Sequence, residues 1–277
     1  MNKLFERIES LKKEIDLLFP GREWSKQYLE KVKLDFTYQN NKIENNKLSY
    51  GQTLLFLKEA TTPKDVSVKD CLDTKNHYEI VDVIFKSYKN ELSEKMILNL
   101  HSKLMKDLVQ WKYKDDYSPG KYKWDTNYTI KQDGTMHWYM DHRKAPGAIR
   151  ELVKETNERL KTSNQKSVQK HPLTIAAYFH TRFLEIHPFA DGNGRISRIF
   201  TNDILIKKGY SPVFIKDSNK SVYLGLFEKS NSKKLTPMIN FLGKQLEESL
   251  IAKKQMILES LKMQKEKSKL HKRRFAL

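Results

Sequence analysis

The sequence has very little cysteine, since Cys71 is the only one among 277 residues. A single thiol excludes a disulfide framework and any metal site built from several cysteines, so we expect Cys71 to be a buried small apolar residue. Long apolar runs are also missing, because no stretch approaches the length needed to cross a bilayer. The first residues carry charges throughout and lack the apolar centre of a signal peptide, so we expect a cytoplasmic protein with no membrane contact.

Acidic residues are scarce relative to basic ones: 34 Asp and Glu face 52 Lys and Arg, a formal net charge of +18. A basic surface can attract nucleic acid, membranes or acidic proteins. The excess is spread along the chain and is mostly lysine, and only the tail "KMQKEKSKLHKRR" (262–274) concentrates it. We interpret this tail as a solvated helix end or a disordered tail; a contact with nucleic acid or an acidic surface is the alternative.

Helical periodicity dominates the chain. Apolar residues near the N-terminus recur at three- and four-residue steps, at Leu4, Ile8, Leu11, Ile15 and Leu18. This spacing predicts one buried helix face, and Pro20 and Gly21 end the helix. Further helices are predicted at 24–36, 46–60, 69–90, 93–110, 145–162, 171–186, 195–208 and 217–263. We find no internal repeat and no interdomain linker, so the predicted architecture is all-α.

One segment, 126–142, departs from the helical pattern. Two short runs of β-type residues flank "QDG" (132–134), and Asp-Gly between such runs is typical of a β-hairpin. A two-stranded hairpin is marginally stable by itself, so we expect it to lean on the helical body.

The stretch "HPFADGNGRISR" (187–198) connects the buried helix 171–186 to the helix 195–208. Glycines on both sides of Asn193 allow backbone angles that a side chain would forbid, so successive N–H groups can turn toward one point. That point lies at the N-terminus of the second helix, whose unpaired N–H groups and dipole attract anions. The loop is therefore predicted to form a phosphate cradle.

Four side chains with charge or acid–base chemistry stand at this cradle. Arg195 and Arg198 share one face of the helix, and two guanidinium groups suit a polyphosphate better than a single carboxylate. Asp191 is a hard oxygen ligand that fits Mg²⁺ held partly by phosphates. His187 is the one group there able to take a proton near neutral pH. Together they predict transfer chemistry on a nucleotide, in which positioning and charge stabilisation dominate.

The same stretch resembles the signature of the Fic family, H-x-F-x-[D/E]-G-N-[G/K]-R-x-x-R, with every specified position filled. The flanking "AAYFHTRFLEI" (176–186) and "TNDILIKKGY" (201–210) resemble the family's neighbouring helices. The segment "SPGKYK" (118–123) and the hairpin resemble the entry to, and the body of, its target-docking flap. The resemblance covers roughly residues 95–245 as a helical Fic core. Residues 1–94 then form an N-terminal helical region, and 246–277 a C-terminal helix with the basic tail.

The resemblance implies a protein adenylyltransferase, which transfers AMP from ATP to a Ser, Thr or Tyr hydroxyl of a target protein. It implies that His187 deprotonates the hydroxyl, that Phe189 anchors the loop, and that Asp191 binds Mg²⁺ bridging the α- and β-phosphates. It also implies an anion hole formed by Gly192, Asn193 and Gly194.

The resemblance further implies that Arg195 and Arg198 hold the β- and γ-phosphates. An alignment on "LTPMINFL" (235–242) places the adenine wall at Tyr223, Phe227 and Asn231; plain core packing is the other interpretation of these aromatics. In the hairpin, Tyr128 and Trp138 are the predicted flap residues that dock the target.

A second motif lies far upstream, in "QNNKIENNKLS" (39–49), within a region of about 38–50. It resembles the inhibitory motif of Fic proteins, [S/T]-x-x-x-E-[G/N], with Glu44 in place and Asn40 where Ser or Thr is expected. Asn40 and Glu44 are four residues apart and face the same way on a helix. We expect Glu44 to form a bidentate pair with Arg198 and Asn40 to hydrogen-bond the loop. The family also suggests that Glu44 orients water to remove AMP from a modified target.

Two alternatives stay open beside a self-inhibited adenylyltransferase. One is a Fic-type transferase with another nucleotide donor, and the other is a basic nucleic-acid-binding protein with an inactive Fic core. Intact signature residues argue against both, so nucleic acid is not the expected partner. We interpret His77, His101 and His180 as structural groups in helices rather than metal ligands. The sequence leaves open the target protein, self-modification and a homodimer.

Overall fold

Ten helices and one hairpin make up the part of the chain that the computed structural model describes, residues 2–20, 26–87, 89–108, 118–131 and 133–274. The helices are α1 (Asn2–Leu18), α2 (Lys26–Ile43), α3 (Tyr50–Glu59), α4 (Val68–Ser87), α5 (Glu94–Leu104), α6 (Ala145–Lys161), α7 (Pro172–Ile186), α8 (Asn193–Lys207), α9 (Lys220–Lys229) and α10 (Thr236–Arg274). The strands are β1 (Tyr128–Ile130) and β2 (Met136–Trp138). The predicted all-α class with a short hairpin is confirmed.

The helices α7 and α8 pack against each other at the centre of the fold. His171 caps α7 by accepting a hydrogen bond from the amide of Leu173, and Pro172 fits the first turn because it needs no donor there. Most residues of α7 are buried, as expected for the helix predicted to be buried at 171–186, and most residues of α8 are buried as well. α6, α10 and α4 surround this pair and bring residues from distant parts of the sequence toward the loop between α7 and α8.

The first and last helices pack along each other and share one core with the central pair. Gly243 of α10 makes the close approach possible, because a Cβ there would lie 2.7 Å from Cδ2 of Leu4 and 3.1 Å from Cδ2 of Leu173. Leu242, Leu246 and Leu250 form the buried side of α10. The N-terminal region is therefore packed onto the predicted Fic core, and α2 and α4 lie beside α8.

The hairpin forms where the Asp-Gly signal predicts it, with Tyr128 opposite Trp138 in the antiparallel register. Asp133 accepts hydrogen bonds from the amide and hydroxyl of Thr135, and Gly134 adopts a φ of 81° in the turn. All six strand residues are exposed. The hairpin therefore contacts the helical body at its base rather than through a buried face.

Several predicted boundaries are corrected by the structure. α8 begins at Asn193 rather than at 195, so Gly194 lies in its first turn and the loop is shorter. The predicted helix 217–263 is divided into a 3₁₀ turn, α9 and α10, because Asn231 folds its side chain onto the amides of Lys233 and Lys234. Gly21, Gln132, residues 111–117 and the side chains of the basic tail from 268 onward lie outside the described residues. Within the described chain, no helix is both long enough and apolar enough to span a bilayer.

Candidate active site

The loop between α7 and α8 is shaped by two residues with left-handed backbone. His187 ends α7 with a φ of 50°, and Gly192 precedes α8 with a φ of 79°. Such angles are strained for most side chains and free for glycine. A Cβ on Gly192 would also lie 2.9 Å from Sδ of Met105, so both the backbone angle and the available space favour glycine there.

Contacts of Phe189 with His101 and Asn193 fix the conformation of the loop. Phe189 is fully buried and stacks on the ring of His101, with 3.6 Å between ring centroids. The side chain of Asn193 accepts a hydrogen bond from the amide of Phe189 at 3.0 Å and donates one to its carbonyl at 2.8 Å. Asn193 therefore shapes the loop with its side chain, which leaves only its backbone for the predicted anion hole.

His101 holds the loop from α5. Its Nδ1 accepts from the amide of Gly120 at 2.9 Å, and its Nε2 donates to the carbonyl of Asp191 at 3.0 Å. Burial lowers the pKa of His101 to about 4, so the ring is neutral and one nitrogen can accept while the other donates. His101 is a structural group, as predicted, and it connects the loop to the segment that leads to the hairpin.

His187 stands half-buried at the start of the loop, under an aromatic ring. The ring of Tyr139, the residue after β2, lies 3.7 Å from the imidazole centroid at an angle of 14°. Burial, followed by the positive charge of Lys123, lowers the pKa of His187 to about 3. The imidazole is therefore neutral at physiological pH, which is the form that can accept a proton.

Lys123 connects the hairpin base to the end of α7. Its amide donates to the carbonyl of Pro188 at 2.8 Å, and its Nζ donates to Oδ1 of Asn127 at 2.8 Å and to the carbonyl of Ile186 at 3.4 Å. Asn127 in turn donates to the carbonyl of Phe189 at 3.1 Å. Burial lowers the pKa of the Lys123 amine to about 8.

Arg198 is enclosed by residues from the upstream motif. Its Nη2 lies 2.5 Å from Oε1 of Glu44, and its Nε donates to Oδ1 of Asn40. The predicted bidentate pair is therefore wrong: the amide of Asn40 occupies Nε, which leaves Glu44 a single contact. The predicted hydrogen bond from Asn40 to the loop is also wrong. The side-chain amide of Asn40 instead contacts Nε2 of His77, a fully buried residue.

Glu44 lies over the first turn of α8, one residue beyond the end of α2. A Cβ on Gly194 would lie 2.9 Å from Oε1 of Glu44 and 3.0 Å from Nη1 of Arg198. The missing side chain at position 194 thus creates the space that the carboxylate fills. Burial raises the pKa of Glu44, but the charges of Arg198 and Arg195 outweigh it and hold that pKa below its ordinary value.

Arg195 shares the helix face with Arg198 and is paired from another direction. Its Nη1 donates to Oδ1 of Asp73 on α4, and its Nη2 lies 3.4 Å from Sδ of Met105. Burial works against its charge, but Asp73, Asp191 and Glu44 together keep the pKa of Arg195 above its ordinary value. Both arginines of the signature are therefore charged and held by carboxylates.

Asp191 supplies the one carboxylate of the loop and faces solvent, with a side chain 64% exposed. It accepts from the amide of Gly192 at 2.6 Å and lies 3.5 Å from Nη2 of Arg195. Among the described residues, no group of three or more His, Cys, Asp or Glu could hold a metal ion. A single exposed carboxylate beside two arginines fits Mg²⁺ bound mainly through phosphate oxygens and water.

The residues predicted to form the adenine wall lie at and beyond α9. Tyr223 is fully buried, with its hydroxyl 3.5 Å from Nη1 of Arg198 and 3.0 Å from Nε2 of His180. Phe227 is half-buried and packs edge-on against Tyr223, while Asn231 is exposed in the turn after α9. Tyr223 therefore contacts Nη1 of Arg198 with its hydroxyl. An adenine wall at these positions stays a prediction.

The predicted flap residues stand together on the hairpin. The rings of Tyr128 and Trp138 are 4.9 Å apart and both are exposed, by 47% and 56%. Tyr139, directly after β2, donates its amide to the carbonyl of Asn127 and covers His187 with its ring. The hairpin is thus continuous with the residues that surround the predicted base.

Sequence reasoning did not find Asp73, Lys123 or Tyr139. The sequence holds a signal for Asp73, since Asp73, Asn76 and His77 are polar residues on the helix face that also carries the core residue Ile80. Such residues usually have buried partners. The partner, Arg195, lies 122 residues away, and no local pattern identifies it.

A model of the Fic/DOC family matches residues 91–205. The "Protein adenylyltransferase Fic" of Drosophila persimilis is 27% identical over 256 residues, which cover 88% of this chain and 46% of that protein. This chain therefore spans about half the length of the curated relatives it matches.

Two solved structures share the fold. A Fic domain-containing signalling protein from Bacteroides thetaiotaomicron is 27% identical and has a TM-score of 0.78, with 90% of this chain and 95% of that chain covered. Fic-1 from C. elegans is 20% identical and has a TM-score of 0.71, with 95% of this chain and 73% of that chain covered.

Proposed function

Because the chain belongs to the Fic/DOC family, we propose that it is a protein adenylyltransferase that transfers AMP from ATP to a Ser, Thr or Tyr hydroxyl of a target protein. One observation carries this proposal: a carboxylate, that of Glu44, already lies against the first turn of α8. The carboxylate of Glu44 lies against Gly194 and Arg198, in space that a side chain at position 194 would fill. A site that binds a carboxylate with these donors suits phosphate oxygens equally well.

His187 is the proposed base. Its neutral imidazole takes the proton of the target hydroxyl as that oxygen attacks the α-phosphorus of ATP. The bond from the α-phosphorus to the oxygen bridging the β-phosphate breaks, and pyrophosphate leaves. Tyr139 packs flat on the imidazole and Lys123 fixes the end of α7 beside it, so the base is held in one orientation.

Arg195 and Arg198 are proposed to bind the β- and γ-phosphates, with the backbone of Gly192, Asn193 and Gly194 around the anion. Asp191 would hold Mg²⁺ against the phosphates, where the ion supplies positive charge that stabilises the leaving pyrophosphate. The two guanidinium groups are buried, so they act in a medium where charge stabilisation is stronger than in water. The adenine ring is proposed to lie near Tyr223, Phe227 and Asn231.

We propose that Glu44 inhibits the enzyme. Its carboxylate occupies Nη2 of Arg198 and the space above Gly194, so the γ-phosphate and Glu44 compete for the same donors. Asn40 stands where the motif has Ser or Thr, and it accepts a hydrogen bond from Nε of Arg198. The asparagine therefore provides a second contact to this arginine. ATP then binds weakly or with its α-phosphate out of line.

The hairpin is proposed to dock the target. Its edge is exposed, and an extended segment of a target protein can pair with an exposed strand edge. Tyr128 and Trp138 provide apolar contact area for that segment, and Tyr139 connects the docking surface to His187. We also propose that the protein acts in the cytoplasm, where its free cysteine, Cys71, stays reduced.

The test uses ATP labelled on its α-phosphate with three proteins: native, Glu44→Gly, and Glu44→Gly combined with His187→Ala. In a lysate, the Glu44→Gly protein is expected to label protein bands strongly, and mass spectrometry is expected to find AMP on Ser, Thr or Tyr. The His187→Ala combination is the matched control and should label almost nothing. Equal labelling by the Glu44→Gly protein and by its combination with His187→Ala, or no labelling by the Glu44→Gly protein, would contradict the proposal.

A further inference from the structure

Asp73 lies outside the signature loop, the hairpin and the inhibitory motif, yet it contacts an arginine of the candidate site. It stands near the start of α4 with a side chain 5% exposed. Oδ1 accepts from Nη1 of Arg195, and Oδ2 lies 2.7 Å from Nζ of Lys69. Both carboxylate oxygens are therefore paired with cations, and the pair with Arg195 is buried.

The surroundings of Arg195 make Asp73 its fixed partner. The second arm of the guanidinium, Nη2, contacts the sulfur of Met105 and lies 3.5 Å from Asp191. Asp191 is exposed and is the proposed Mg²⁺ ligand, so it is free to turn toward a bound nucleotide. Asp73 holds one arm of the guanidinium in the interior and leaves Nη2 on the side of the loop.

Asp73 and Glu44 differ in how easily each can leave its arginine. The side chain of Glu44 is 39% exposed and follows the end of α2, so water can replace Arg198 when the carboxylate swings out. Asp73 lies on α4 with its side chain buried in the fold, where an unpaired charge carries a severe desolvation penalty. The carboxylate that departs when ATP binds is therefore Glu44, and Asp73 remains.

We propose that Asp73 is a positioning residue that holds the guanidinium of Arg195 in the orientation needed to bind the phosphates of ATP. This inference rests on the proposed function, in which Arg195 contacts those phosphates. A planar guanidinium fixed on one arm by a carboxylate presents its other donors in a set direction. A donor held in advance loses less conformational freedom on binding, which strengthens the bound state.

The test measures nucleotide binding by calorimetry, in the Glu44→Gly protein with Mg²⁺ present. ATP and AMP are compared for Asp73→Asn and for a matched control, Asp82→Asn, on the same helix. Asp82 pairs with Lys33 and Lys86 and contacts no arginine of the site. We expect Asp73→Asn to weaken ATP binding about tenfold or more, while AMP binding changes less than about twofold, because AMP lacks the β- and γ-phosphates. Asp82→Asn should leave both unchanged.

Three results would overturn the inference. Equal weakening of ATP and AMP would indicate a general structural role, and ATP binding equal to that of Asp82→Asn would indicate none. Tighter ATP binding by Asp73→Asn would make Asp73 a second inhibitory carboxylate.

A second variant covers the case in which thermal melting shows that Asp73→Asn is unfolded. Asp73→Glu keeps the charge but shifts it by one methylene, so we expect a folded protein with a smaller loss confined to ATP. If the ratio of ATP to AMP affinity in Asp73→Glu equals that of the Glu44→Gly protein in which it is made, the inference is also contradicted. ATP binding needs no target, so a failure to label any protein would refute the proposed transfer without affecting this measurement.

Discussion

The ring of Tyr139 lies parallel to the imidazole of His187, with 3.7 Å between the centroids. Tyr139 directly follows the hairpin, so its ring connects the proposed docking surface to the proposed base. We expect Tyr139→Ala to lower transfer about tenfold by freeing the imidazole, and to leave ATP affinity unchanged. Tyr139→Phe keeps the stacked ring and should retain most of the activity. If Tyr139→Ala lowers ATP affinity as much as transfer, the ring supports the whole site rather than the base.

His187→Ala should bind ATP as tightly as the Glu44→Gly protein in which it is made, because the imidazole is not among the proposed phosphate contacts. Loss of general-base catalysis should lower the transfer rate by roughly 10²–10⁴. Single-turnover transfer and ATP binding, measured on the same preparation, separate the two effects. Near-native transfer would exclude His187 as the base.

The hairpin should act on the target and not on the nucleotide. We expect Tyr128→Ala and Trp138→Ala to reduce labelling of target proteins several-fold while ATP affinity stays the same, since both rings are exposed on the hairpin. Phe19→Ala, at an exposed aromatic residue just after α1, is the control and should change neither quantity. A parallel loss of labelling and ATP binding would show that the hairpin supports the fold.

Lys123 should make folding stability depend on pH. Its pKa is about 8 in the fold because burial disfavours the charge, and it rises to its ordinary value of 10.5 on unfolding. The unfolded chain therefore binds more protons than the folded one between these values, so stability should rise as pH increases through this window. Relative to Lys123→Met, the native protein should gain about 1–2 kcal/mol in free energy of unfolding between pH 7.5 and pH 9.5.

Urea unfolding at the two pH values measures this gain. Lys121→Met, two residues away at an exposed lysine, is the control and should keep the same pH dependence as the native protein. If Lys123→Met also shows the native rise, the amine is not responsible for it.

Local patterns predicted most of the helices, the hairpin and the loop of the site. The three- and four-residue spacing of apolar residues identifies α1 and α7, and Asp-Gly identifies the turn of the hairpin, because these signals depend on neighbours in sequence. The sequence predicts that α8 begins at residue 195, two residues late, because Gly194 is typical of a loop. In the structure Gly194 is helical, and its missing side chain leaves space for Glu44.

Long-range partners could not be predicted from local pattern. The motif around Glu44 predicts a contact with Arg198. The hydrogen bond that Asn40 accepts from Nε of Arg198 depends on how α2 packs beside α8, which the motif does not give. Tyr223 looked equally suited to a core or to a nucleotide site, and only the fold shows its hydroxyl against Arg198. Such contacts arise from packing between helices that are distant in sequence.

The most direct test of inhibition by Glu44 compares rates of self-labelling by native protein, Glu44→Gly, and Glu44→Gly combined with Arg198→Ala. We expect removal of Glu44 to free Arg198 for its proposed contact with the γ-phosphate, and the loss of one charge-assisted contact from the proposed inhibited state corresponds to about 10- to 100-fold in rate. We predict that increase for Glu44→Gly and its disappearance in the double variant, in which the freed guanidinium is missing. A native protein that labels itself as fast as Glu44→Gly would contradict the account, because the contact between Glu44 and Arg198 would then restrain nothing.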